Sequence, residues 1–239
     1  MYTFELGAAA RSQPAGIAPS VRRYQLVVCL IAALSALISA GQTPPGTAAE
    51  PHTSTPAEAV ASRAVLYEED LSDPNGQQYA GSVRWRTDRI QAVGLPDENA
   101  VHADIEIPAR QLTVVLSIRQ NTDKSLPASH VIELTFVAPP DFAGGEVTSV
   151  PGMLTKSAER ARGVPLAGAS ARIDKGFFRI GLSNIDADRT RNLQYLKFQS
   201  WIDIPLVYAN QHRAILAIEK GSSGERTINE ALVAWDQPR

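Results

Sequence analysis

The chain is expected to fold as a mostly β protein: an antiparallel β-sandwich-like domain with one internal helix and a short C-terminal helix, preceded by an N-terminal hydrophobic helix. Three observations predict this. From Ser82 onward, apolar and polar residues alternate with period two in short runs, the mark of strands with one buried face. The runs end in turn residues too often to leave room for crossover helices, so antiparallel pairing follows. Two stretches near the C-terminus carry apolar residues at helical spacing.

In the first strands, Val83, Trp85 and Thr87 alternate with Arg84, Arg86 and Asp88, and Val101, Ala103, Ile105 and Ile107 alternate with His102, Asp104 and Glu106. The polar faces carry opposite charge. If these strands pair, Arg84, Arg86, Asp104 and Glu106 become cross-strand ion pairs on a solvated face, each contributing under about 1 kcal/mol. The competing reading is a basic aromatic patch around Trp85 that holds a sugar or an anion. Leu112, Val114, Leu116 and Ile118 repeat the alternation, and Ile132, Leu134 and Phe136 oppose Val131, Glu133 and Thr135. Breaks fall at Asn121 to Pro127 and at Pro139-Pro140-Asp141. A hairpin is expected at Asp174-Lys175-Gly176, between Ser170–Ile173 and Phe177–Leu182, and another at Asn210-Gln211, joining Trp201–Tyr208 to Arg213–Glu219.

Ile185, Arg189, Leu193 and Leu196 recur at helical spacing after Asn184 and Asp186, either of which can cap the first turn. At the far end Thr227 and Glu230 match a capping box, and Ile228, Ala231, Leu232 and Trp235 form one apolar stripe that should dock Trp235 on the sheet. Gly221-Ser222-Ser223-Gly224 before it reads as a flexible turn. It has the placement of a phosphate loop but lacks the lysine, and Glu225 would repel an anion.

At the front, Arg22 and Arg23 precede an uncharged apolar run from Leu26 to Ala40. That run of about 15 residues is long for a signal-peptide core and short of the roughly 20 that span hydrocarbon as a helix. Cleavage after Gly41 and retention as a single-pass anchor both stay open. Either outcome places the rest of the chain outside the cytoplasm, because the cationic pair resists translocation. The division is therefore a short tail (1–23), a signal peptide or transmembrane helix (24–41), a disordered linker rich in Pro, Thr and Ala (42–62), and an extracytoplasmic β-rich domain (63–239). Cys29 is the only cysteine and lies too early in the apolar run for a lipoprotein site, so the domain must hold together by its core alone.

The whole chain has 23 Lys and Arg against 25 Asp and Glu, and no block of like charge occurs. Nucleic-acid binding by phosphate neutralisation therefore has no footprint. Ser129-His130, with Asp123 and Asp141 nearby in sequence, supplies the parts of a serine hydrolase without a G-x-S-x-G elbow. The alternative is that Ser129 and His130 tie down a turn. His102, His130 and His212 stand on separate strands with no paired spacing, so no metal is expected. Asn184, Asp186 and Asp188 resemble the opening of a calcium loop, but Arg189 replaces its glycine and Tyr195 its closing glutamate. No cofactor is expected.

Ser82-Val-Arg-Trp-Arg-Thr87, Asn121 through Phe136, Asp141-Phe-Ala-Gly-Gly145, Leu182 through Lys197 and Ile204 through Gly221 together resemble a domain of uncharacterised bacterial envelope proteins. That resemblance implies an exported or membrane-tethered domain and carries no ligand or catalytic residue with it. The expected function is a non-catalytic module that binds another envelope protein or polymer. An envelope hydrolase using Ser129 and His130 with a nearby Asp is one alternative. A sensory domain on an uncleaved anchor is the other.

Overall fold

Alternating burial governs the molecule strand by strand. The computed structural model describes residues 61–70, 72–90 and 98–236, all within the compact unit Ser54–Arg239. The strands are β1 (Ser62–Asp70), β2 (Asp73–Ile90), β3 (Glu98–Ile107), β4 (Leu112–Gln120), β5 (Ala128–Val137), β6 (Val147–Ser149), β7 (Leu154–Lys156), β8 (Val164–Pro165), β9 (Gly168–Asp174), β10 (Phe177–Ser183), β11 (Trp201–Tyr208) and β12 (Arg213–Glu219). Helix α1 (Asp186–Phe198) joins β10 to β11, and α2 (Gly221–Trp235) follows β12.

All 12 strands belong to one antiparallel sheet, in the order β8-β7-β11-β12-β1-β2-β3-β4-β5-β10-β9, with β6 beside β11. The ends of this path are neighbours in the chain. Val164 and Pro165 pair with β7, and from Gly168 the same segment pairs with β10. Between them Leu166 N–H donates to Met153 O at 2.9 Å, and Ala167 O accepts from Ser183 N–H at 2.9 Å. The sheet therefore curls until its own chain closes it. At the other end of the seam, Arg172 of β9 meets Glu146, just before β6, at 3.1 Å.

Two facing sheets were expected from the alternation; one curled sheet is found. Strand twist accumulates over long strands and closes a sheet when the strands can also bend. At Gly81 β2 approaches β3 closely: a Cβ there would lie 2.2 Å from Glu106 O and 2.4 Å from Ile107 Cδ1. Pro205 falls in β11 between the stretches paired with β7 and β6, where a missing N–H breaks no ladder on that edge.

The enclosed space is filled by side chains. Leu66 faces Leu216 and Tyr79, Ile105 faces Val83 and Val114, and Ile132 faces Ile118 and Ile180. These belong to one buried cluster that also takes in Trp85, Phe136, Phe178 and Tyr208. Each such side chain contributes on the order of 1.5–3 kcal/mol by leaving water. On the outer face the predicted charge pairing holds: Arg84 meets Glu106 at 3.8 Å, and Arg86 meets Asp104 at 3.0 Å.

Both expected hairpins form, with Gly176 at φ 66° and Gln211 at φ 69°. Strands β1, β6, β7 and β8 were not expected. Two helix details also change. Ile185 takes the N-cap position of α1 with no side-chain cap; Ser183 Oγ accepts from Ile185 N–H instead, and Ile185 is 64% exposed rather than part of a buried stripe. Helix α2 starts at Gly221, so the stretch read as a turn is its first turn. Packing decides this, because Gly224 lies against Trp85 so closely that a Cβ would stand 2.9 Å from the ring.

Among the described residues no helix is long and apolar enough to cross a membrane. Arg22, Arg23, the run from Leu26 to Ala40 and the linker as far as residue 60 lie outside the described residues; Ser62, expected to end the linker, instead opens β1.

Candidate functional site

Antiparallel alternation puts the starts of β1, β3, β5 and β11 and the ends of β2, β4, β10 and β12 at one end of the closed sheet. Both helices lie at that end, since α1 spans the β10 to β11 connection and α2 leaves β12. Trp235 anchors α2 there: its Nε1–H donates to Asn99 O at 2.9 Å, and its ring lies 4.9 Å from the ring of His130. The start of α2 meets the end of α1. Lys220, which precedes α2, extends its ammonium to the last turn of α1 and donates to Leu196 O at 2.9 Å and Lys197 O at 3.0 Å. A cation on a helix C-terminus satisfies orphan carbonyls and complements the helix dipole. Lys220 is 1% exposed, and burial holds its amine down at about 8, against the nearby carboxylate of Glu225.

Between the helices lies an open groove of about 720 Å³. Its apolar lining is Leu193 of α1 with Leu232 and Val233 of α2; the leucines are half-buried and Val233 is 66% exposed. Its margin carries Asp186, Arg189 and Lys197 on α1 and Asp236 just past α2. Residues 186, 189, 193 and 197 share one face of a helix by their spacing, as do 232, 233 and 236. Ile185 and Phe198, at the two ends of α1, are 64% and 72% exposed.

Of the sequence candidates for catalysis, Ser129 and His130 do touch: Nδ1 of His130 is 3.2 Å from Ser129 Oγ. His130 is nevertheless 1% exposed beneath Trp235, and its Nε2 is buried without a hydrogen-bond partner. Burial, with a smaller contribution from the Arg189 charge, pushes its pKa down to about 4, so the ring is neutral and weakly basic at pH 7. Asp123 stays in the turn before β5, where Ser125 N–H and Oγ donate to it at 2.9 and 2.6 Å and hold its carboxyl below the ordinary range. Asp141 follows the opposite end of β5 from His130 and is exposed. Among the described residues no carboxylate bonds to His130 and no group of side chains could hold a metal ion. Asp186 and Asp188 of the calcium-like stretch sit in the first turn of α1, and Asp188 pairs with Arg191 at 2.6 Å.

At the other end, polar groups satisfy one another. Arg110 lies 4.5 Å above the Phe142 ring and pairs with Glu68 at 3.2 Å, while Tyr208 Oη donates to the same carboxylate at 2.8 Å. On the outer face Lys156 and Asp203 form a buried ion pair at 2.6 Å, and burial still raises the Asp203 carboxyl above its ordinary range.

The groove residues were only partly visible beforehand. Leu193 belongs to the helical-spacing run of α1 and Leu232 to the apolar stripe of α2, whereas Val233 falls outside the stripe of Ile228, Ala231 and Trp235. An apolar residue beside that stripe was the available signal. Lys220 had none, because its burial depends on two helices meeting.

The fold and this end define a curled antiparallel sheet around a side-chain core, with two helices across one end. No protein-family model, curated protein or solved structure matches the chain.

Proposed function

We propose that this protein is an extracytoplasmic β-rich module of a cell envelope, non-catalytic, that binds a partner through the groove between α1 and α2. The observation that carries the reading is the apolar lining of Leu193, Leu232 and Val233, left open to solvent among charged residues. A filled sheet interior leaves binding to the outside, and an apolar cleft with a few polar groups at its rim is the usual form of such a site. The extracytoplasmic placement rests on the Arg22-Arg23 pair, the apolar run after it and the resemblance to envelope domains.

The contact of Ser129 with His130 favours a hydrolase as a second reading. Against it stand the burial and low basicity of His130, since a general base works best with a pKa near the operating pH. The sensory reading rests on residues 24–41 alone.

The test is in-cell crosslinking of the C-terminally tagged full-length protein, then capture from the envelope fraction, for the wild type and for Val233→Asp. One discrete partner, lost in Val233→Asp, is the expected result. A partner retained equally by the variant would remove the groove from the account.

A further inference from the structure

Lys156 and Asp203 stand on neighbouring strands and face the same way. Where β7 pairs with β11, Trp201 is opposite Lys156 and Leu154 is opposite Asp203, so the two charged residues are diagonal neighbours on the outer side of the sheet. Trp201 shares that side, as does Ala217 opposite Asp203 in β12, and both are buried. The segment after β7 passes against the pair: a Cβ at Gly163 would lie 3.0 Å from Leu154 Cβ and 3.7 Å from Asp203 Oδ2. Glu159 of the same segment is clamped by Arg63 and by Tyr67 Oη, which donates at 2.5 Å.

The pair is buried yet incompletely bonded. Lys156 Nζ is 2.6 Å from Asp203 Oδ1, but that oxygen accepts no well-directed hydrogen bond, and among the described residues neither side chain has a second polar partner. Two buried charges in this condition are costly, and burial raises the Asp203 carboxyl toward its protonated form. A proton passed from ammonium to carboxylate removes both charges. It leaves an amine against a carboxylic acid, the two reactants of an amide.

We propose that Lys156 and Asp203 become joined by an isopeptide bond. Lys156 Nζ attacks Asp203 Cγ, the new C–N bond forms, and one carboxyl oxygen leaves as water with two of the three ammonium protons; the third stays on the amide nitrogen. Atoms and charge balance with no co-reactant. Holding the reacting groups in contact substitutes for concentration, with effective molarities on the order of 10⁵–10⁸ M for well-oriented pairs. Exclusion of water opposes the reverse hydrolysis. The bond fastens β7 to β11 in a domain that has no cysteine for a disulfide, beside the segment through which the sheet closes.

The test is tryptic mapping of the purified full-length protein by mass spectrometry, with denaturation before digestion. Trypsin does not cut after an acylated lysine, so the bond predicts a branched product as the major species, residues 125–160 joined to residues 198–213, with their summed mass less one water. Fragmentation should place the link at Lys156 and Asp203, and Lys156→Arg and Asp203→Ala should each abolish it. Recovery of the linear peptides 125–156 and 198–213 from the wild type at their sequence masses, with no branched product, would overturn the proposal and leave a simple buried ion pair. A link mapped to other residues would overturn it too. The wild-type spectrum decides the matter whether or not either variant folds.

Discussion

Lys220 Nζ stands 2.9 Å from the carbonyl oxygen of Leu196, so the residue that begins one helix finishes the other. The connection ties the start of α2 to the last turn of α1. Replacing Lys220 by Met keeps the apolar stem and removes the donors, leaving two buried carbonyls unpaired at a cost of roughly 1–3 kcal/mol. The amine is depressed from 10.5 to about 8, so between those values the unfolded chain binds more protons than the folded one. Stability should therefore rise with pH from 8 toward 10, and that slope should vanish in Lys220→Met. Above 10 the hydroxyl of Tyr67, raised to about 12, acts in the opposite sense. Denaturant titrations of both proteins at pH 7 to 10 measure the difference.

His130 gives the matching prediction on the acid side. Its pKa falls from 6.5 to about 4 on folding, so its contribution is complete above pH 6.5 and is lost as pH falls toward 4. The loss amounts to roughly 3 kcal/mol over that window. In His130→Leu the curve of stability against pH should flatten between pH 6.5 and 4 by about this amount. Equal slopes in the two proteins would show that the imidazole is hydrated in the native state.

Gly224→Ala sets local preference against packing. Alanine is favoured over glycine in a helix interior by about 1 kcal/mol. The added methyl would meet the Trp85 ring at 2.9 Å, and overpacking costs typically 1–3 kcal/mol. Net destabilisation is expected, with a changed tryptophan emission. Ser222→Ala, at an exposed position two residues earlier, should leave stability within about 0.5 kcal/mol.

The comparison at Gly224 also shows what the sequence can and cannot display. Alternation placed Val83, Trp85, Ile105, Leu116 and Leu134 on the inner face, because period two is a local property of strands. The oppositely charged faces of β2 and β3 made their pairing legible for the same reason. Closure was not legible, since it depends on Gly168 pairing with β10 a few residues after Val164 pairs with β7. The first turn of α2 was not legible because Gly221 and Gly224 disfavour helix locally, and what holds them, Ser62 beside Gly221 and Trp85 beside Gly224, is distant in sequence. Asn192 was hidden for a similar reason: a polar residue in α1 becomes buried when its amide meets both Ala167 N–H and Ala167 O.

For the hydrolase alternative, a fluorophosphonate probe is decisive. With His130 neutral and buried beside it, Ser129 should remain unlabelled in the native protein at pH 7 to 8. Labelling that disappears in Ser129→Ala would reverse this and restore an enzymatic reading.

The central claim, that the helix-capped end is the binding end, meets its most direct test in site-specific photocrosslinking within cells. A photoreactive amino acid at Val233, 66% exposed in the groove, is compared with one at Val137, 58% exposed at the far end of β5. One discrete adduct from Val233 and none from Val137 is predicted. A discrete adduct from Val137 with none from Val233 would contradict the account.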